Sequence, residues 1–321
     1  MKLRSVLLLY FLVLLPASYA AHDAGAHSTH KNPIQDIIPS IEKPSSIQLA
    51  FESPSADWIF TGAVKSEEGE EYHYYLQILR HLKQIQAVAL LVNSQSNQVI
   101  LFEQSHATID NEDIQPFVWH IGQTFLRFNS INNSWVFGSR SKDKSGFNFK
   151  VDMLGKLDGN STKQQDLRSG STLLVGQTGS LNGHISLHGN DNFVTADKAW
   201  FRQTWAVNAS EKEKSSPFTT IFCDFEDGAG FYAMHLQVHD ALRGAVAGWR
   251  DAMGSAQPIS QFVMAKQSKE GIWQIQVPFP KLQFSLLNAL SGQDPEQLSV
   301  FAGSIVGKNP GFCSISEHSL V

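Results

Sequence analysis

The sequence predicts an all-β fold, and three observations carry that prediction. Apolar and aromatic residues recur with a period of two in short runs, and clusters of Gly, Asn, Asp and Ser punctuate the runs. Only two stretches, residues 81–89 and 240–253, look at all helical. At 321 residues, 42% hydrophobic and 17% charged, the chain is long enough for two compact domains. A net charge of −5 without a Lys/Arg-rich block argues against nucleic acid or an anionic membrane surface as partner. The aromatic set of 21 Phe, 7 Trp and 6 Tyr either fills β cores or lines a ligand cavity.

The chain opens with the features of a signal peptide over residues 1–20. Lys2 and Arg4 give a positive start, residues 6–15 an apolar core, and Ser18-Tyr19-Ala20 a small-x-small cleavage site. The core is shorter than the roughly 20 residues of a membrane-spanning helix, and Pro16 ends it. No membrane span is therefore expected in the mature chain, and an exported protein, periplasmic or secreted, is. Residues 21–46 mix His22, His27 and His30 with prolines and paired serines without periodicity, as a flexible leader does. Their irregular spacing matches no structural metal site.

A first ordered block spans 47–190. Residues 58–64 read as a strand, Glu67-Glu68-Gly69-Glu70 as a turn and residues 72–80 as the returning strand. That returning strand puts Tyr72, Tyr74, Leu76 and Ile78 on one face and His73, Tyr75, Gln77 and Leu79 on the other. Bulk on both faces suits a barrel, where one face meets the interior and the other packs on a neighbour. Further strands follow, with His106 near the end of one, then Trp119, His120 and Trp135, and then the short HISLHG pair around His184 and His188.

The second block, 191–321, holds a hairpin: Ile221, Phe222 and Phe225 face Phe231, Tyr232 and Met234 across residues 226–230. Pro278 and Pro280 cannot donate to a central ladder, so 275–287 is expected as an edge or a bent crossover. In an oxidising compartment Cys223 and Cys313 have two readings, a disulfide or two buried thiols. Asp224 lies inside an otherwise apolar strand, and a buried unpaired carboxylate costs several kcal/mol. It either faces a cavity, where burial keeps it protonated as a proton donor, or pairs with Arg202, or meets solvent.

Several segments together resemble the AttH-like family, which includes the carotenoid 1,2-hydratases. DWIFTGAVKSEEGEEYHYYLQILR, SHATID, KAWFRQTWAV, the hairpin ending FEDGAGFYAMHLQV, and VGKNPGFCSISE occur in the family's order across about residues 50–318. The resemblance implies two lipocalin-like β-barrel domains packed side by side, with a cavity for an isoprenoid- or lipid-like molecule. Hydratases of this group tend to carry Asp-His-x-Trp where this chain has Arg202-Gln203-Thr204-Trp205. Gln203 cannot act as a general acid, since proton transfer needs a titratable group.

The expected function is binding of a hydrophobic small molecule, with hydration or isomerisation of an isoprenoid-like substrate as the alternative. Asp224, Gln203 and Arg202 are the catalytic candidates. Trp58, Tyr74, His106, Trp119, Trp200, Trp205 and His235 are the ligand-lining candidates. His235 and His239 share a spacing that a metal pair could use, but no third ligand is identifiable, and neither metal nor cofactor is expected. The common signatures of nucleotide enzymes, serine hydrolases and zinc proteases do not occur.

Overall fold

The computed structural model describes residues 50–109, 118–153, 165–167, 171–206, 216–238, 241–253, 255–259, 264–267, 272–277, 282–286, 299–306 and 310–320. They all fall in one compact unit, Pro44–Val321. The signal-peptide and leader expectations lie outside the described residues, as do His239, Pro278 and Pro280.

Among the described residues the strands form two sheets. Thirteen make the first: β1 (Ser55–Ser66), β2 (Glu71–His81), β3 (Gln84–Asn93), β4 (Val99–Thr108), β5 (Val118–Ile121), β6 (Thr124–Asn129), β7 (Ser134–Arg140), β8 (Gly146–Asp152), β9 (Gln165–Asp166), β10 (Ser171–Gln177), β11 (Leu181–Leu187), β12 (Asn190–Ala196) and β13 (Trp200–Ala206). The main path runs β4-β3-β2-β1-β12-β11-β8-β7-β6-β5, and its ends, β4 and β5, approach each other, so the sheet curls into a nearly closed barrel. The long β1 pairs with β13 over Ser55–Thr61 and with β12 at Lys65 and Ser66. Nine strands make the second sheet: β14 (Ser216–Phe225), β15 (Gly230–Val238), β16 (Ala241–Arg250), β17 (Ala256–Pro258), β18 (Met264–Gln267), β19 (Trp273–Val277), β20 (Leu282–Leu286), β21 (Ser299–Val306) and β22 (Gly311–Leu320), in the order β17-β16-β15-β14-β22-β21-β20-β19-β18. The change of sheet falls between Ala206 and Ser216, so β12 and the whole of β13 belong with the first sheet.

The expected hairpins form where the turn chemistry lies. Gly69 takes φ 89° in the turn closed by Ser66 and Glu70, and Gly228 takes φ 84° in the turn where the Phe225 amide donates to Ala229. Both helical-looking stretches are strands instead. His81 ends β2 and β3 follows. Ile85, Ala87, Ala89 and Leu91 face the barrel interior, while Val88, Leu90 and Val92 pack on the second sheet. Burial on both faces makes residues 87–92 continuously apolar, so the period that separates strand from helix is erased there. The stretch 240–253 is largely β16. Its small residues serve packing, since a Cβ at Gly248 would come 2.3 Å from the Tyr232 ring. The segment expected as an edge or crossover holds β19 and β20 paired inside the sheet.

Three apolar clusters result, one inside each sheet and one between them. β2 shows how alternation builds this arrangement. Tyr72, Tyr74, Leu76 and Ile78 point into the first barrel, while Tyr75 points into the junction. The junction is also polar. Thr61 and Ser314 meet through their hydroxyls at 3.3 Å, and the His73 ring stacks on Phe312 at 4.0 Å and 6°. Burial pushes the His73 imidazole down to about 3, so at neutral pH it is a neutral ring and its 3.7 Å approach to Glu71 is not an ion pair.

Candidate functional site

Alternation along β13 divides the three catalytic candidates. Phe201 and Trp205 belong to the first barrel's interior and Trp200 to the junction, so Gln203 faces inward and Arg202 faces the second sheet. On β14, Ile221, Cys223 and Phe225 line the second interior, leaving Phe222 and Asp224 toward the junction. Arg202 and Asp224 therefore share a layer from which Gln203 is excluded.

Arg202 has a different partner from the one expected. Its Nη2 forms an ion pair with Asp57 Oδ2, both residues being sealed from solvent at 1% and 0% exposure. Asp57 Oδ1 accepts from Gln77 Nε2 at 3.0 Å, and Gln77 Oε1 accepts from the Tyr75 hydroxyl at 2.5 Å. From the other sheet Thr220 accepts from Arg202 Nη1, and Met234 Sδ lies 3.5 Å from the same nitrogen. Burial draws the guanidinium down to about 9, which leaves it charged at neutral pH. Asp57 and Gln77 were not among the sequence candidates. The signal for Asp57 was nonetheless present, a carboxylate within the apolar DWIF run.

Asp224 is held by Trp200, whose indole Nε1 donates to Oδ1 at 2.9 Å. Gly230, across the hairpin, makes room for that indole, since a Cβ there would stand 2.7 Å from Trp200 Cζ2. Asp224 keeps some solvent contact, yet protein crowds its carboxyl enough that burial raises it from 3.8 to about 7. A carboxyl raised on folding takes up a proton, so its contribution to stability falls as pH rises from about 4 to about 7. Asp224→Asn removes that loss. The variant should gain on the order of 2 kcal/mol relative to the parent between pH 4 and pH 7.5, read from urea unfolding, partial exposure having been discounted. A difference independent of pH would show that this carboxyl is not held protonated.

The ligand-lining candidates also separate. Trp58, Tyr74, Trp119 and Trp205 lie in the first barrel's interior, joined by Trp135. Trp200 lies in the junction and His106 is exposed on the outer side of β4. His235 lies on the same face of β15 as Phe231 and Ala233, toward the second interior, and burial pushes its imidazole down to about 4. The first interior is densely aromatic. Phe51, in a helical turn at residues 50–52, stacks on Trp119 at 5.7 Å and on Trp135 at 5.8 Å and tilts against Trp58 at 5.1 Å. Four donors in this interior, Nε1 of Trp58, Trp119 and Trp135 and the Tyr74 hydroxyl, have no hydrogen-bond partner among the described residues.

Cys223 and Cys313 form a disulfide, directly opposite each other on β14 and β22. Among the described residues, no three His, Cys, Asp or Glu side chains gather as a metal-binding group, and no helix is long and apolar enough to cross a membrane.

Comparison with protein-family models and with curated proteins gives no match. Solved structures do match. A candidate AttH from Nitrosomonas europaea superposes with a TM-score of 0.62 at 14% identity, covering 89% of this chain and 99% of that one. Kievitone hydratase from Nectria haematococca superposes with a TM-score of 0.59 at 15% identity, covering 85% and 92%. At such identities the likeness is one of fold, and the chain thus has the AttH-like architecture of two lipocalin-like β barrels packed side by side that its motifs resemble.

Proposed function

We propose that this chain is an exported protein that binds a hydrophobic, isoprenoid- or lipid-like small molecule inside its first barrel. The observation that carries this reading is the set of four unpartnered donors on β1, β2, β5 and β7. A buried donor left unsatisfied costs about 1–3 kcal/mol, so natural cores rarely keep several together. A ligand with an apolar body and an acceptor oxygen satisfies them while its chain packs on the rings of Phe51, Phe60 and Phe201. Export is supported by the signal-peptide features and by a disulfide of the kind that oxidising compartments preserve.

Native mass spectrometry with lipid extraction, on protein purified from its own compartment, tests the reading. The expected result is a copurified apolar compound whose rebinding quenches tryptophan emission. Trp135→Phe, which deletes one donor, should weaken rebinding about fivefold. A protein that yields no extract and shows no quenching with a panel of isoprenoid and fatty alcohols would sink the proposal.

A second reading, hydration or isomerisation, is favoured by Asp224, a carboxyl near neutrality in its titration, and by the name of one structural neighbour, kievitone hydratase. Here Asp224 gives its proton to an alkene carbon, and water adds to the cation and returns a proton. That route requires the alkene to reach the junction, since Asp224 does not face the first interior. Turnover abolished by Asp224→Asn supports it; turnover unchanged by that substitution removes Asp224 from the mechanism.

A further inference from the structure

The strands that enclose the first interior carry a second, unrelated arrangement on their outer faces. Six residues stand directly opposite one another along a single cross-strand row: His120, Phe125, Gly138, Asn148, His184 and Phe193, on β5, β6, β7, β8, β11 and β12. Their chain neighbours Trp119, Leu126, Phe137, Phe149, Ile185 and Val194 fill the core, so the row faces outward; His120, Asn148, His184 and Phe193 are exposed, Phe193 by 40%. The row is aromatic at both ends. His120 stacks on Phe125 at 6.3 Å and 29°, and His184 meets Phe193 edge-on at 5.4 Å and 66°.

Between these ends the floor is bare backbone. A Cβ at Gly138 would fall 2.2 Å from the Phe147 carbonyl oxygen, and one at Gly146, in the next row, 2.3 Å from that of Ser139. The missing side chains leave a recess of about 370 Å³, bounded by Phe125, Arg140, Asn148, His184, Ser186 and Asp191. Small-molecule sites run from roughly 300 to 1,000 Å³, so this one suits a compact ligand.

We propose that this recess binds a short saccharide lying across the strands. Sugar rings present C–H faces that pack on aromatic rings and hydroxyls that require donors and acceptors around the rim. The recess supplies both, with the Phe125 ring toward one end, the His184 ring, which meets Phe193 edge-on, toward the other, and an amide, a guanidinium and a carboxylate around it. A purely apolar ligand would desolvate Arg140, Asn148 and Asp191 without return. A polyanion would meet Asp191 and a chain of net charge −5. From Phe125 to His184, the two rings of this row that line the recess, is three ladder steps, roughly 14 Å at an interstrand spacing of about 4.8 Å, which is longer than one sugar ring and matches a few in line. The recess and the barrel interior lie on opposite faces of the same strands, so the proposal is independent of the one for the interior.

Saturation-transfer NMR on the full chain, with maltotetraose, cellotetraose and mannotetraose as probes, tests it. Transfer to the ring C–H protons of at least one probe is expected. Phe125→Ala and Asn148→Ala should each weaken that binding about tenfold or more with the thermal midpoint unchanged. Asn148→Trp, which fills the recess, should abolish it. Quenching by an apolar ligand should be unaffected in all three variants, which keeps the two sites separate. No transfer from any probe at millimolar concentration overturns the proposal, as does binding that persists within twofold in all three variants.

Discussion

Replacing Asp57 by Ala is expected to lower the unfolding free energy by about 3–5 kcal/mol, among the largest effects of any single substitution in this chain. The reason lies in what is left behind. Arg202 is sealed between the two sheets, so without its carboxylate the guanidinium keeps the full desolvation penalty, with Thr220 and the sulfur of Met234 among the described residues to meet it. Gln77 loses an acceptor at the same time, and its bond from Tyr75 no longer sits in a closed network. The double substitution Asp57→Leu with Arg202→Met removes both charges and keeps most of the volume, so it should cost less than about 2 kcal/mol. Urea unfolding of the parent, the two single variants and the double gives the coupling directly. Losses that simply add would mean that Arg202 does not depend on Asp57.

The same pair shows which features can be read from a sequence and which cannot. The two-faced strand of residues 72–80 implied a barrel packed on a neighbour because each face carries its own aromatic residues, and both faces are indeed buried. Residues 87–92 are buried in the same way but are aliphatic throughout, so no period survives to distinguish strand from helix. Asp224 stood out as a carboxylate among apolar residues, and Asp57 satisfies the same criterion. Its partner, however, is supplied by a strand distant in sequence, through the β1–β13 register. Arg202 and Gln203 are consecutive in β13 and so point to opposite faces, Arg202 to the junction and Gln203 inward. The outer row from His120 to Phe193 was not legible at all. It exists only in the registers of six strands, although His184 was already conspicuous in the sequence.

Removing the Cys223–Cys313 bond should cost about 3–5 kcal/mol. The two residues are 90 apart, and closing a loop of that length removes about 4.6 kcal/mol of chain entropy from the unfolded state, an upper figure because unfolded chains keep some structure. The enclosed loop holds β15 to β21, so the bond ties the first strand of the second sheet to the last, at the point where they already pair. It therefore acts on the unfolded chain more than on native contacts. Cys223→Ala, Cys313→Ala and the double variant should then lose nearly the same amount, since any one of them deletes the whole cross-link, and reductant should bring the parent to the same unfolding midpoint. Losses that add would point to side-chain packing in the second core, where both cysteines are fully buried, rather than to the bond. A parent protein unmoved by reductant would remove the disulfide from the argument for an oxidising compartment. A loss of the expected size ties the stability of the second sheet to the compartment in which the chain folds.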